Sequence, residues 1–401
     1  MTDPPGPSRR DLLAESTAGL PGLTSGATGS APGDGAQPSE ELLYVGTYTE
    51  GGRSDGIHVV RMDTGSGRLR LAGAVNAGAN PSFLAIHPNG DVLYAVNEVT
   101  THGDRASGAV SAFAIDRDTG SLTRLGEQPS GGGAPCYVSV DRTGRALLVA
   151  NYAGGSVALL PIRAGGALAP ASHVAQHRGS GPDEARQKGA HAHCIVADPT
   201  NRFALAADLG IDRVLVYHLD PDAGSLRHVE GGDAQLQPGA GPRHIAFHPT
   251  LPLLFVAGEL DSTVTTLRFD AERGALTPLK SDSTLPAGWS GTSHAADIHV
   301  APSGRSLYIS NRGHDSVAVF SVAEATGALA LEQVVPTSGD WPRNFTLDPS
   351  GRWLLVANQR SGTVVVFARD EESGHLTPTG ERIAIPSPVC LRFRAHVGVV
   401  T

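Results

Sequence analysis

Cysteine is scarce in this chain. Three occur among 401 residues, an odd number spread thinly, which excludes a disulfide framework as the source of stability. No stretch approaches the roughly 18 to 20 consecutive apolar residues of a membrane helix, so no membrane partner is expected. An excess of positive charge is also missing: 31 Lys and Arg face 40 Asp and Glu, a formal net charge of −9. A nucleic-acid partner normally requires a basic face, and none is expected here. Helical periodicity is nearly absent. So are the short motifs of cofactor and nucleophile chemistry: there is no phosphate loop, dinucleotide fingerprint, His-Glu-x-x-His helix or Gly-x-Ser-x-Gly elbow. Ser290 in Gly288-Trp289-Ser290-Gly291 does not fit the elbow. No cofactor is expected.

What is present divides into a tail and a repeating body. Residues 1–40 concentrate Gly, Ser, Pro, Ala and Thr without apolar periodicity, a composition that cannot offset ordering entropy and predicts disorder. Ser8-Arg9-Arg10-Asp11-Leu12-Leu13 resembles a twin-arginine export signal. The segment after it, Ala14 to Ala27, carries Glu15 and little bulk, which is poor for a signal core. A cytoplasmic location is expected, with export by that signal as the alternative.

Residues 41–401 read as one domain built from repeats. A Gly-x-Leu element occurs seven times, starting at Gly67, Gly120, Gly166, Gly224, Gly274, Gly327 and Gly374. A longer block begins Pro81-Ser82-Phe83-Leu84 and returns from Pro135, Ala192, Pro242, Ala295 and Pro342, at steps of 47 to 57 residues. Within each period, short alternating apolar runs are separated by Asn-Gly, Thr-Gly or Ser-Gly turns, the chemistry of strands and hairpins. Four short strands per period of about 50 residues mark a propeller blade. The fold class is therefore all-β, a seven-bladed β-propeller.

The register of the repeats predicts how the ring closes. Leu42-Leu43-Tyr44-Val45-Gly46-Thr47 matches the second strand of a blade, and Pro388-Val389-Cys390-Leu391-Arg392-Phe393 matches a first strand with nothing after it. Residues near 42–75 and 388–395 should pair into one blade, which removes the exposed sheet edges.

In a propeller the start of each first strand and the end of each second strand meet at one mouth. The aligned start positions are Ser82, Cys136, His193, Arg243, Ala296, Arg343 and Val389. Second strands end at Asn97-Glu98, Asn151-Tyr152, Asp208-Leu209, Gly258-Glu259, Asn311-Arg312 and Asn358-Gln359. The recurrent Asn97, Asn151, Asn311 and Asn358 are assigned a structural role, since Asn tolerates left-handed geometry and caps its own backbone. Glu98, Glu259, Arg312, His193, Arg243 and Arg343 break the repeat yet collect at the mouth, where burying ionisable groups is costly. Convergent polar groups in a concavity predict a site.

His191-Ala192-His193 offers two imidazoles on one side of a strand. Nothing in the sequence identifies the further ligand that zinc needs, so no metal is expected. Cys136 and Cys194 sit at first strands and read as small core residues.

At this point the chain resembles the seven-bladed lactonase family. The residues that carry the likeness include Leu43-Tyr44-Val45-Gly46-Thr47-Tyr48-Thr49, Gly181-Pro182 with Arg186-Gln187, His191-Ala192-His193 and Asp208-Leu209-Gly210. Gly241-Pro242-Arg243-His244, His294-Ala295-Ala296-Asp297, Ser310-Asn311-Arg312-Gly313-His314-Asp315-Ser316 and Pro342-Arg343-Asn344-Phe345 continue it. The family includes a 6-phosphogluconolactonase and a fungal carboxymuconate cyclase. The resemblance implies catalytic roles for His193, Arg243, Glu259 and Arg312; Glu98, Arg343, His191 and Asp297 are expected to bind the substrate. Asp183 stands where the family more often has Asn, a departure confined to that loop. The implied partner is a small anionic sugar lactone. Either Glu259 or His193 could be the general base, Arg243 and Arg312 could stabilise an oxyanion, and Arg343 could hold a phosphate. A lactonizing cyclase and a non-catalytic binding propeller are the alternatives.

Overall fold

A computed structural model describes residues 40–52 and 54–394. The expectations for the tail and its export signal lie outside the described residues. Those residues form 29 strands and one short 3₁₀ turn at Glu50–Gly52. The strands assemble into seven antiparallel sheets, six of them running in sequence order from a first to a fourth strand and the seventh taking its first strand from the far end of the chain. One sheet carries a fifth short strand, Ala234–Gln235, against Arg213–Asp220.

The predicted closure is present. Pro388–Phe393 is the innermost strand of a blade whose other three are Glu40–Thr47, Ile57–Asp63 and Leu69–Val75. Leu43 pairs with Phe393 and Val45 with Leu391 across that junction. The seven innermost strands contact one another in a closed cycle.

Each second strand lies between two neighbouring blades and so buries both faces. Val92–Asn97, Ala146–Asn151, Phe203–Asp208 and Leu253–Gly258 are buried at every position. That is why these strands read as nearly unbroken apolar runs. Outer strands such as Leu122–Pro129 bury only their first residue and leave the rest exposed or half-buried.

The Gly-x-Leu repeat has a physical cause. All seven of its glycines adopt φ between +61° and +89°, a region costly for any residue with a Cβ. Each also faces its neighbour: a Cβ at Gly274 would meet the Phe203 ring and one at Gly67 would meet Trp353. All seven leucines of the repeat are buried. Tyr44, Tyr94 and Tyr308 donate hydrogen bonds to the carbonyls of Gly120, Gly166 and Gly374 in the next blade, at 3.0, 2.9 and 2.8 Å. The repeat is therefore an inter-blade contact.

The recurrent asparagines are structural, but by another route than the one expected. None of Asn97, Asn151, Asn311 and Asn358 has positive φ. Instead each side-chain amide donates to a carbonyl on the connection entering its blade: Ala77, Ser130, Thr284 and Thr337 respectively, at 2.8 to 3.2 Å.

Candidate active site

The first strands do not run straight into the mouth. In the blades whose first strands begin at Pro135, Ala192, Pro242 and Pro342 the register slips just after the first paired residue, and in the blade beginning at His294 just after the second. A bulge leaves residues outside the ladder and re-aims their side chains. The residues skipped are Cys136, His193, Arg243 with His244, Ala296 with Asp297, and Arg343. With Val389 skipped in the same way in the closing blade, six blades present an extra residue at the same height.

The four residues with implied catalytic roles meet there. Glu259 follows the strand Leu253–Gly258, its backbone N–H held by Gly241 O at 2.8 Å. Its Oε2 accepts from Arg243 Nε at 2.8 Å and lies 2.9 Å from Arg312 Nη2. His193 Nε2 stands 4.0 Å from the same oxygen. All four side chains are buried. Cys136 Sγ lies 3.7 Å from His193 Nδ1, and burial pushes its thiol up, so it is a neutral neighbour and no nucleophile.

A fifth member was not foreseen. Arg186 Nη2 donates to Glu259 Oε1 at 2.6 Å and to Tyr152 Oη at 3.2 Å. It comes from the loop between the strands His173–Gln176 and Ala192–Ala197. The loop is fixed by Gln187, whose buried amide donates to Leu209 O at 2.7 Å and Asp212 Oδ1 at 2.8 Å. Asp183 Oδ1 accepts from the N–H groups of Ala185 and Arg186 at 2.8 and 3.1 Å. A carboxylate serves that turn as well as an amide oxygen would, so the departure from the family pattern leaves the loop intact.

Charge follows geometry. Burial raises the Glu259 carboxyl, but Arg312, Arg243, His193 and Arg186 outweigh it and hold the group well below the usual carboxylate range. Burial drives His193 well below the ordinary imidazole range, and the Arg243 charge pushes the same way. Burial also lowers Arg312 to about 9, against the pull of Glu259. At neutral pH the cluster holds an ionised Glu259 and a neutral His193.

Asp297 lies one tier deeper. Its Oδ1 accepts from His244 Nδ1 at 2.7 Å, and its Oδ2 from His299 Nε2 at 3.1 Å and from Asn344 Nδ2. Asp297 is buried, and both of its oxygens accept hydrogen bonds within this network. Arg243 Nη1 donates to Ala296 O at 2.9 Å and approaches His244 Nε2 at 3.2 Å, joining the two tiers. His191 and His193 both pack against Tyr152. His191 stacks on it with ring centroids 4.5 Å apart, while His193 meets the edge of the same ring.

Glu98 and Arg343 occupy the other side of the mouth, joined through Tyr48. Arg343 Nη2 donates to Tyr48 Oη at 2.9 Å, and Tyr48 donates to Glu98 Oε2 at 2.9 Å. A cavity of about 860 Å³ opens beside them, lined by Tyr48, Glu50, Asn80, Glu98, Thr100 and Gln359 among others. The Glu259 cluster does not line it.

The family model described as "Lactonase, 7-bladed beta-propeller" matches residues 42–393. The chain belongs to the seven-bladed β-propeller lactonase family. It is 38% identical to the 6-phosphogluconolactonase of Bacillus subtilis over 354 residues, covering 88% of this chain and 98% of that one. It is 34% identical to the 6-phosphogluconolactonase of Formosa agariphila, over 76% of this chain and 86% of that protein. The structure of a Pseudomonas aeruginosa periplasmic gluconolactonase superposes with a TM-score of 0.82 at 35% identity, covering 89% of this chain and 99% of that one. Among the described residues of this lactonase-family member, no helix is long and apolar enough to cross a membrane. The other residues that composition and repeat pattern alone passed over are Tyr48, Tyr152 and His244. Only their place beside repeat-breaking neighbours could have signalled them.

Proposed function

We propose that this protein hydrolyses a sugar lactone, 6-phosphogluconolactone to 6-phosphogluconate, as the names of its relatives suggest. The observation that carries the reading is one ionised carboxylate, Glu259, gripped by three guanidinium groups with a neutral imidazole 4.0 Å away. Ring opening requires a water oxygen to attack the lactone carbonyl while a base removes its proton. Glu259 is too strongly held in its ionised form to be that base. His193 is neutral and takes the role, and the imidazolium that forms is stabilised by Glu259. Arg243 and Arg312 face the oxyanion of the tetrahedral intermediate, with Glu259 fixing where their guanidiniums point. Collapse breaks the ring C–O bond, and the His193 proton passes to the leaving alkoxide.

The substrate is then a small anion, drawn to a locally cationic mouth on an acidic protein, and Arg343 and the half-exposed Arg186 are its first contacts. Location in the cytoplasm accompanies this reading. The periplasmic description of one structural neighbour makes cell fractionation the check, with export abolished by Arg9→Lys plus Arg10→Lys as the contrary result.

The test is hydrolysis of 6-phosphogluconolactone above its spontaneous rate, unchanged by chelator. His193→Ala and Arg312→Ala should each lower kcat by roughly 10²-fold or more, the usual cost of losing a general base or an oxyanion donor. Wild-type rates in both variants would remove these assignments. Turnover of carboxymuconate alone would replace hydrolysis with the cyclase reading.

A further inference from the structure

The cavity beside Tyr48 differs chemically from the Glu259 cluster. Its walls are rich in hydrogen-bond acceptors. Glu50 and Glu98 each contribute a carboxylate, and the buried Oε1 of Gln359 has no partner among the described residues. Ser82 Oγ and Tyr48 Oη both donate to Oε2 of Glu98. Among the described residues none donates to its Oε1. The lining is also held firmly in shape. Asn80 sits at φ +46°, its Oδ1 accepting from Thr49 N at 3.0 Å and its Nδ2 donating to Glu50 Oε1 at 2.9 Å.

An acceptor-lined cavity selects donors. The lactone carbonyl, the ring oxygen and an ionised phosphate all lack hydrogens to give, and two carboxylates repel a phosphate. The hydroxyl groups of a sugar lactone are its only donors. The cationic half of the mouth, with Arg186, Arg243 and Arg312, suits the opposite end of such a molecule.

We propose that Glu98 is a specificity-determining residue that accepts hydrogen bonds from the hydroxyl-bearing edge of the substrate, so that the cavity selects polyhydroxylated lactones over unsubstituted ones. This rests on the lactonase reading, and it orients the substrate with its hydroxyl edge in the cavity and its carbonyl toward Arg243 and Arg312. A site built to pair with a substrate hydroxyl discriminates strongly against the analogue without it, because its buried polar groups are left unpaired.

Two measurements on the full chain decide it. The first compares kcat/KM for gluconolactone with that for valerolactone, which lacks hydroxyls, in wild type, Glu98→Ala, Glu98→Gln and Glu50→Gln. The preference for gluconolactone should fall at least about tenfold in Glu98→Ala, with part of it restored in Glu98→Gln, whose amide oxygen still accepts. A merely structural role would slow both lactones in proportion, and that result overturns the proposal. The second is calorimetric binding of anhydroglucitol, a ring with hydroxyls and no lactone carbonyl. Its affinity should drop about tenfold or more in Glu98→Ala. Unchanged affinity, or no binding to wild type, overturns the proposal. Should the wild type hydrolyse no lactone, the lactonase reading falls while this binding measurement still judges the cavity. If Glu98→Ala fails to fold, Glu50→Gln and Glu98→Gln supply the same comparison.

Discussion

Two carboxylates face the same channel, and they are satisfied in opposite ways. Glu259 is held by three arginine cations, with a neutral imidazole 4.0 Å away. Asp297 is held by His244, His299 and an amide, and among the described residues no arginine pairs with it. The two carboxylates are equally buried, so the difference lies in their donors. The upper tier borders the mouth, where one arginine still reaches solvent with 35% of its side chain exposed. In the lower tier imidazole and amide donors satisfy the carboxylate, at smaller desolvation cost than arginines would. Charge chemistry is concentrated above, and rigidity below.

Removing each centre separates the two roles. Glu259→Gln leaves three guanidiniums without their counter-ion. It should cost about 3–5 kcal/mol in denaturant unfolding, the penalty of breaking a buried ion network, together with nearly all lactone hydrolysis. A stable, active Glu259→Gln protein would show that the arginines do not depend on it. Asp297→Asn should cost less, about 1–3 kcal/mol, and should lower hydrolysis far less than Glu259→Gln does. Equal loss of activity in both would erase the distinction between tiers.

The tiers should also respond to acid. Burial pushes His244 down to about 3, and His193 lies well below the ordinary range. Unfolded imidazoles take up protons near pH 6.5. As pH falls below that value the unfolded chain binds protons the folded one refuses. Stability should therefore decline by up to about 1.4 kcal/mol per pH unit for each group, for His244 until pH approaches about 3. Urea midpoints compared at about pH 7 and about pH 5 should shift less in His244→Gln than in wild type; identical shifts would free His244 of the effect. Smallest is the loss from a connection staple. Asn358→Ala should cost about 1 kcal/mol and leave hydrolysis intact, which thermal unfolding and a rate assay together can check.

The blades were legible because two independent repeats recur in step. The closure was legible because the segments near 42 and 388 are complementary pieces of one repeat. His193, Arg243, Glu259 and Arg312 stood out because ionisable residues replaced the consensus at one height. The bulges that turn those side chains into the channel were not legible, since a register slip leaves no compositional trace. Arg186 was hidden for a different reason. It reaches Glu259 from a loop outside the repeat, and its path depends on the buried Gln187 amide. For Asp297, pattern alone could not reveal that one step further along a strand places a side chain a tier deeper.

The pairing of Leu43 and Val45 with Phe393 and Leu391 has a consequence for biosynthesis. A ribosome makes residues 388–393 after every other strand of the ring. Until they emerge, Glu40–Thr47 lacks its inner neighbour and presents an open edge. The link from Arg343 through Tyr48 to Glu98 also crosses this seam. A nascent chain stalled before Pro388 therefore carries six finished blades and an unlatched circle. A competent pocket arises only once Pro388–Phe393 has emerged, in one concerted act of sealing.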